Sequence, residues 1–332
     1  MTTEIEVRPI EDRASWLEWR QDDMTASVGP CLFGGDVYPY STAYQQWAIK
    51  SGLVKAEPID PKLARRGHYI ERIAPEILAE ERPDWKVTAN PYYYRDPVAR
   101  IGATPDLWAY RPDIPGTGVV DIKSVGPQTF RKWRDRDTGD TELPVWMAIQ
   151  VNIQAALVGA HWETPTAWGA VAAITIGDQG LDCEIIDVPI LPGLYENFRG
   201  LVKDFWRRVE EKDPYPIDWG KDAATILDMY RDDDGGLIDL TQDDEFSRLL
   251  LQRGEYKTVE MDGKRAEALR RLIDAQIINR MGNAATARFR SALIKAPTIR
   301  VKEAVRKAYS FRRISVTGDE TREAPVTDDV EG

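Results

Sequence analysis

The chain has 332 residues, 42% hydrophobic and 30% charged, with a formal net charge of −11, two cysteines and two histidines. Eleven Trp, 13 Tyr and 7 Phe exclude a disordered chain, and the length suits one large domain or two. Cys31 and Cys183 are too few for a disulfide framework, an all-thiolate zinc site or a cysteine-ligated iron–sulfur cluster, so any metal is expected on oxygen ligands.

The first residues are too charged for a secretory signal, and no apolar run approaches the roughly 20 residues that span a bilayer. A cytoplasmic protein is expected. In chain order, residues 10–30 read as a short helix and a turn, with Trp16 and Trp19 at helical spacing. Residues 61–80 predict an amphipathic helix, since Leu63, Ile70, Ile73, Ala74, Ile77 and Leu78 recur at three- and four-residue steps. Pro75 is expected to kink or divide it. Strands follow at Tyr92–Tyr94, Val98–Ile101, Leu107–Tyr110 and Val119–Ile122, the last two joined by Pro112–Gly118, which has hairpin chemistry.

A second helix is predicted from about Val145 to Gly159, then strands at Ala167–Ile176 and Leu181–Val188 and a helix over Leu194–Lys212. This order describes an α/β (α+β) fold, a mixed central β-sheet flanked by helices. The core is expected to end near residue 216. A smaller, mainly helical unit over 217–316 would carry strand-like pieces at Ala287–Ile294 and Phe311–Val316, and an acidic tail over 317–332 is expected to be disordered. From Arg253 to Arg313 there are 16 Lys/Arg against 6 Asp/Glu, a basic stretch in an acidic protein that suits either nucleic-acid contact or a solvated helical face.

No phosphate-binding loop, dinucleotide fingerprint, H-E-x-x-H or nucleophile elbow is present, and His68 and His161 stand alone. What remains is a set of carboxylates. Asp106 follows Thr104-Pro105 at the start of one strand, and Asp121-Ile122-Lys123 ends another. Alternate strand residues share a face, so Asp121 and Lys123 point the same way while Ile122 packs behind. Hydrolysis of a phosphodiester calls for a hard divalent cation on oxygen ligands, and a lysine beside the attacking water orients it. Glu71 on the amphipathic helix would add a third carboxylate. Taken alone, these spacings are a weak pattern that recurs by chance, and a surface turn with an ordinary salt bridge is the commoner reason for them.

Taken together, Gly67…Glu71, Thr104-Pro105-Asp106, Asp121-Ile-Lys123 and Gln150…Gln154 resemble the PD-(D/E)XK nuclease superfamily. Arg20-Gln-Asp-Asp-Met-Thr-Ala-Ser27 narrows this, since it is similar to the R-x-x-x-[IV]-T-A-S segment of the YqaJ-like viral recombinase family, which includes the phage lambda exonuclease. The run Val305–Ser315 is similar to the tail of many phage members. The resemblance covers about residues 12–212. It implies Asp106, Asp121 and the Ile122 carbonyl as ligands of Mg²⁺ (or Mn²⁺), with Glu71 acting on a metal directly or through water. Lys123 would activate the water and Gln150 would orient it or Lys123, with Gln154 on the same face. Arg20 and Ser27 would hold the 5′-phosphate of a DNA end.

There are four departures, the first being Asp121 where the family's D-x-K element usually has Glu, a carboxylate one carbon longer. Asn152 replaces a usual Gln, Met24 replaces a β-branched residue, and Thr129 falls where a phosphate-contacting Arg is usual. Arg131, Lys132, Arg134 or Arg136, interleaved with Phe130 and Trp133, would substitute through backbone neutralisation and base stacking, and the same run reads equally as an exposed, salt-bridged helix turn. The implied function is a phage- or prophage-type exonuclease in the bacterial cytoplasm, acting 5′ to 3′ on duplex DNA. It would leave 3′ single strands for an annealing protein, as a ring-shaped homo-oligomer, commonly a trimer. The alternatives are an endonuclease or repair nuclease on the same core, or a non-catalytic DNA-binding assembly protein.

Overall fold

The computed structural model describes residues 4–135, 137–161, 166, 168–177 and 180–230, helical backbone at Asp244, Arg248 and Gly263, and two short strands near residue 290. The chain opens with β1 (Glu6–Pro9) and α1 (Arg13–Asp22), whose N-cap Asp12 accepts from the backbone N–H groups of Ala14 and Ser15 at 2.7 and 2.9 Å. β2 (Met24–Thr25) and a 3-10 turn over Gly29–Phe33 lead to α2 (Ala43–Lys50), started by a capping box between Thr42 and Gln45. Periodicity does not announce α2, because it has only eight residues and its buried side includes Gln46 beside Tyr44, Trp47 and Ala48.

α3 (Pro61–Glu81) starts at Asp60, with Pro61 in the first turn. It runs unbroken through Pro75, against the expected division. Ile70, Ala74 and Leu78 are buried on either side of that proline, so packing holds the helix where one backbone N–H is missing. β3 (Lys86–Ala89), β4 (Tyr92–Asp96), β5 (Ile101–Ala103), β6 (Leu107–Arg111) and β7 (Ile114–Val125) follow. The strand expected from Val98 starts only at Ile101. Asp96 accepts from the N–H groups of Val98 and Ala99 at 3.1 and 2.9 Å, and Arg100 takes a positive φ of 55°, which makes a turn. The expected hairpin forms with its turn confined to Pro112-Asp113, so Ile114–Gly118 extends β7.

After α4 (Pro127–Phe130) and a 3-10 turn over Arg131–Trp133 come α5 (Val145–His161), β8 (Gly169–Gly177), β9 (Gly180–Val188), α6 (Leu194–Glu211) and α7 (Trp219–Met229). Five strands form one mixed sheet in the order β3-β6-β7-β8-β9, antiparallel except for β7 with β8, which α5 joins as a crossover. A second sheet, β1-β4-β5-β2, ends in the parallel pair of β2 with β5. One face of the large sheet packs Val120, Ile122 and Ala172 against Ile70, Ala74 and Leu78 of α3. Val119, Val171 and Ala173 pack in the other core cluster with α5 and α6. α5 is buried on nearly every side, as expected of a central helix.

By compactness the chain divides into Met1–Met229 and Tyr230–Gly332. α7 lies in the first unit, where Asp222 accepts from the Thr42 hydroxyl at 2.6 Å and from the Asp218 N–H at 2.8 Å. In the second unit β10 (Thr286–Phe289) and β11 (Ala292–Lys295) form an antiparallel hairpin. The remaining expectations for this unit, including the 311–316 strand, the tail and the side chains of its basic residues, lie outside the described residues. Among the described residues, no helix is long and apolar enough to cross a membrane.

Candidate active site

Strand β6 begins at Leu107, which pairs with Val120 of β7, so β7 loses that neighbour two residues before Ile122. The Ile122 N–H, left without a strand partner on that edge, donates to Asp106 Oδ2 at 2.6 Å. The N–H and C=O of one strand residue point to the same edge, so the Ile122 carbonyl opens into the same gap. Asp106 thus sits where two strands part, next to the Asp121 face of β7.

Asp121 is 2% exposed. Its Oδ1 accepts from Gln150 Nε2 at 2.6 Å and from Gln154 Nε2 at 3.0 Å, while Lys123 Nζ forms an ion pair with Oδ2 at 2.5 Å. Lys123 Nζ donates to Gln150 Oε1 at 3.1 Å. One glutamine amide therefore holds both the carboxylate and the ammonium. Gln150 and Gln154 are buried, so their amides face the carboxylate cluster and not solvent. Burial, then the nearby Asp121 carboxylate, push Asp106 well above the usual carboxylate range. Burial works to lower Lys123, but Asp121 and Asp106 outweigh it and hold the amine above its ordinary value. Glu71 stands exposed on α3, close enough to raise both groups electrostatically. Among the described residues no three His, Cys, Asp or Glu side chains converge as a set of metal ligands.

The second cluster lies at the end of α1. Arg20 Nη2 donates to Ser27 Oγ at 2.8 Å, and Thr25 Oγ1 is 3.1 Å from the same oxygen. The guanidinium lies 4.6 Å from the Trp16 ring and, among the described residues, pairs with no carboxylate. Burial lowers its pKa, as expected of a cation short of counter-charge. Trp16 Nε1 donates to Thr104 Oγ1 at 3.0 Å, two residues before Asp106. Met24 and Ala26 donate backbone bonds to Arg100 and Gly102 at 2.8 and 2.9 Å, which lays the Thr-Ala-Ser segment beside the strand that leads to Asp106. Lys50 holds the C-terminal end of α1 through the carbonyls of Arg20, Gln21 and Asp23 at 2.7, 3.0 and 2.9 Å. Burial, then Arg20 beside it, bring that amine down to about 8.

Arg131 is exposed in its 3-10 turn, 3.4 Å from the Pro127 carbonyl, and among the described residues it bonds neither Arg20 nor Ser27. Phe130 and Trp133 are corrected from base-stacking candidates to core residues, at 6% and 8% exposure, because that turn folds its rings inward. Arg134 pairs with Glu184 at 2.9 Å, and Arg136 lies outside the described residues. Sequence reasoning missed Arg66, whose Nε donates to Ser124 Oγ at 2.8 Å, next to Lys123. It also gave Trp16 no role, although its four-residue spacing from Arg20 was a usable signal.

Asn152 is structural. Its amide donates to Ala148 and Pro189 carbonyls at 2.9 and 3.0 Å and accepts from the Leu191 N–H at 2.7 Å, tying α5 to the segment after β9. Asn152→Leu is expected to cost roughly 1–3 kcal/mol, the penalty of orphaned buried polar groups, measured by urea denaturation. A loss within about 0.5 kcal/mol, the scatter of neutral surface changes, would rule this out.

Residues 15–161 match the model of the YqaJ-like viral recombinase domain. No curated protein matches the chain. Among solved structures, the alkaline exonuclease LHK-Exo from Laribacter hongkongensis aligns at 20% identity over 60% of this chain and 94% of its own, with a TM-score of 0.44. LHK-Exo in complex with dAMP aligns at 19% identity over the same shares, with the same TM-score. A SOX–DNA complex aligns at 11% over 60% of this chain and 68% of its own, at 0.39. The segment that matches the YqaJ-like viral recombinase domain, residues 15–161, holds most of α1 with Arg20, both carboxylate-bearing strand ends and α5.

Proposed function

We propose that the protein is a divalent-metal-dependent exonuclease that degrades one strand of duplex DNA from the 5′ end, exposing a 3′ single strand for a separate annealing protein. The observation that carries this reading is the Asp106–Asp121–Lys123–Gln150 cluster at the parting of β6 and β7, with Asp121 and Gln150 buried and Asp106 and Lys123 half-buried, inside the segment that matches the recombinase model. The donor set fits Mg²⁺ or Mn²⁺. Asp106 bears a desolvation penalty and a like-charged neighbour in Asp121, both of which a cation would relieve, and all donors are hard oxygens. Asp106, Asp121 and the Ile122 carbonyl would hold the ion, with Glu71 acting through water, and the coordination would otherwise be completed by solvent. When bound, the ion supplies charge stabilisation at the scissile phosphate and a more acidic water.

The protein's own groups do the rest. Lys123, kept protonated by its two carboxylate neighbours, donates rather than accepts a proton, so it orients the attacking water and stabilises charge on the phosphate oxygens. Gln150 fixes Lys123 and Asp121 relative to each other, and Gln154 holds the Asp121 rotamer from the next helical turn. Arg20 and Ser27 hold the terminal 5′-phosphate, whose charge the unpaired guanidinium lacks. Arg131 is an exposed candidate for contact with the DNA backbone. The core to about residue 216 would carry the chemistry and the basic 217–316 region would assist DNA or partner binding, in a ring-shaped oligomer of trimeric type.

The test is digestion of linear duplex DNA with Mg²⁺, comparing 5′-phosphorylated, 5′-hydroxyl and covalently closed substrates, with Lys123→Ala as control. Mononucleotides should be released from phosphorylated ends, and not from the closed circle or by Lys123→Ala. Cutting of the closed circle would establish an endonuclease instead. DNA binding without cleavage in Mg²⁺ or Mn²⁺ would establish an assembly protein.

A further inference from the structure

Beside the candidate site an open groove of about 590 Å³ runs between the 36–40 segment and the start of α5, lined by Val37, Tyr40, Pro144, Val145, Trp146 and Met147. Its volume lies within the roughly 300–1,000 Å³ of small-molecule sites. Tyr40 is 72% exposed and Val145 62%, so large apolar side chains stand in solvent here. Tyr38, Tyr40 and Trp146 form a mutual edge-to-face group, with centroids 5.5, 5.7 and 5.6 Å apart. The group bridges the two charged clusters. Lys123 Nζ lies 5.4 Å from the Trp146 ring centre, and at the other side Tyr38 lies within electrostatic reach of Arg20. The groove's charged lining residue, Asp36, is already paired with Lys221.

One nucleotide at the end of a strand has matching parts in the same order. A terminal phosphate suits the unpaired Arg20, a flat apolar base suits an exposed aromatic face, and the next phosphate suits the carboxylate–lysine cluster. We propose that this groove takes the base of the 5′-terminal nucleotide, stacked on Tyr40 at the rim and enclosed by Trp146, so that this nucleotide is held at three points until the phosphodiester on its 3′ side is cut, and at two once it is released. The inference rests on the exonuclease reading above and deepens it. Stacking is tolerant of sequence because every base has a π-face, so the groove would favour the presence of a base over its identity.

The experiment uses full-length protein carrying Lys123→Ala, with Mg²⁺, and a 5′-phosphorylated duplex with 2-aminopurine at its 5′ terminus, whose fluorescence is quenched by stacking. Anisotropy of a distal dye reports binding independently. Quenching should accompany binding, should persist with Tyr40→Phe, and should fall with Tyr40→Ala. With Lys123 intact, Tyr40→Ala should raise KM for natural ends about tenfold, the order set by one stacked base, and should leave KM for a 5′-terminal abasic nucleotide unchanged. Tyr40 is exposed, so the substitution leaves the core side chains in place and costs only its edge contacts with Tyr38 and Trp146, which Tyr40→Phe keeps. Binding with equal quenching in Tyr40→Ala, or equal KM for natural and abasic ends in the wild type, would overturn the groove assignment alone. Failure of every variant to bind duplex ends would overturn the exonuclease reading with it.

Discussion

Asp106→Asn is expected to lower cleavage of linear duplex DNA by roughly 10²–10³-fold while raising the melting temperature of the metal-free protein. Two effects of opposite sign meet at this residue. Function, on the reading proposed here, needs a carboxylate beside Asp121, yet burial and Asp121 already push the Asp106 carboxyl well above its usual range. Asparagine keeps an oxygen for the Ile122 N–H and removes the charge. Relief of one buried like-charge contact should stabilise by roughly 0.5–2 kcal/mol, the common gain from easing a strained functional site. For a unit of this size each kcal/mol corresponds to about 2–4 °C. Adding Mg²⁺ should then raise the melting temperature of the wild type and leave Asp106→Asn nearly unmoved, because only the protein that binds the ion gains from it. Calorimetry with chelator and with Mg²⁺ separates the cases. A metal-free variant less stable than wild type would mean that the carboxylate is chiefly a structural partner of Lys123, and the catalytic role would fall.

Arg20→Ala should erase discrimination between 5′-phosphorylated and 5′-hydroxyl ends. In the wild type the phosphorylated end should be favoured by about 10–100-fold in kcat/KM, the size of a charge-assisted hydrogen bond of roughly 1.5–3 kcal/mol. The variant should degrade hydroxyl ends at the wild-type rate, since its change removes only the partner of a phosphate they lack. Arg20 pairs with no described carboxylate, so truncation leaves no buried acid behind, although Ser27 loses one donor. Arg20→Lys should recover only part of the preference, because an ammonium lacks the planar fork. Loss of activity on both ends alike would instead assign Arg20 to holding α1 and the Thr104 loop in place through Trp16.

Residue spacing alone determined the parts whose physics is local. α3, α5 and α6 were legible because helical recurrence and a proline-started first turn are properties of neighbours three and four apart. The common face of Asp121 and Lys123 followed from the two-residue period of a strand, and the structure has them 2.5 Å apart. Pro75 shows the limit of local rules, since the packing of Ile70, Ala74 and Leu78 overrides the break that its own chemistry favours. Phe130 and Trp133 show it again, because whether a ring faces DNA or the core depends on what lies behind the turn. Only the tertiary structure decided that Asp106 fills the gap where β6 leaves β7, and that Gln150 clamps Asp121 and Lys123 from a helix 27 residues further on. It also decided that Arg20 reaches Ser27 without a carboxylate partner among the described residues, and that Trp16 bonds Thr104 across 88 residues. These contacts join segments with no common period. Their geometry is set by how the sheet and helices bury apolar surface together, which no local window of the chain contains.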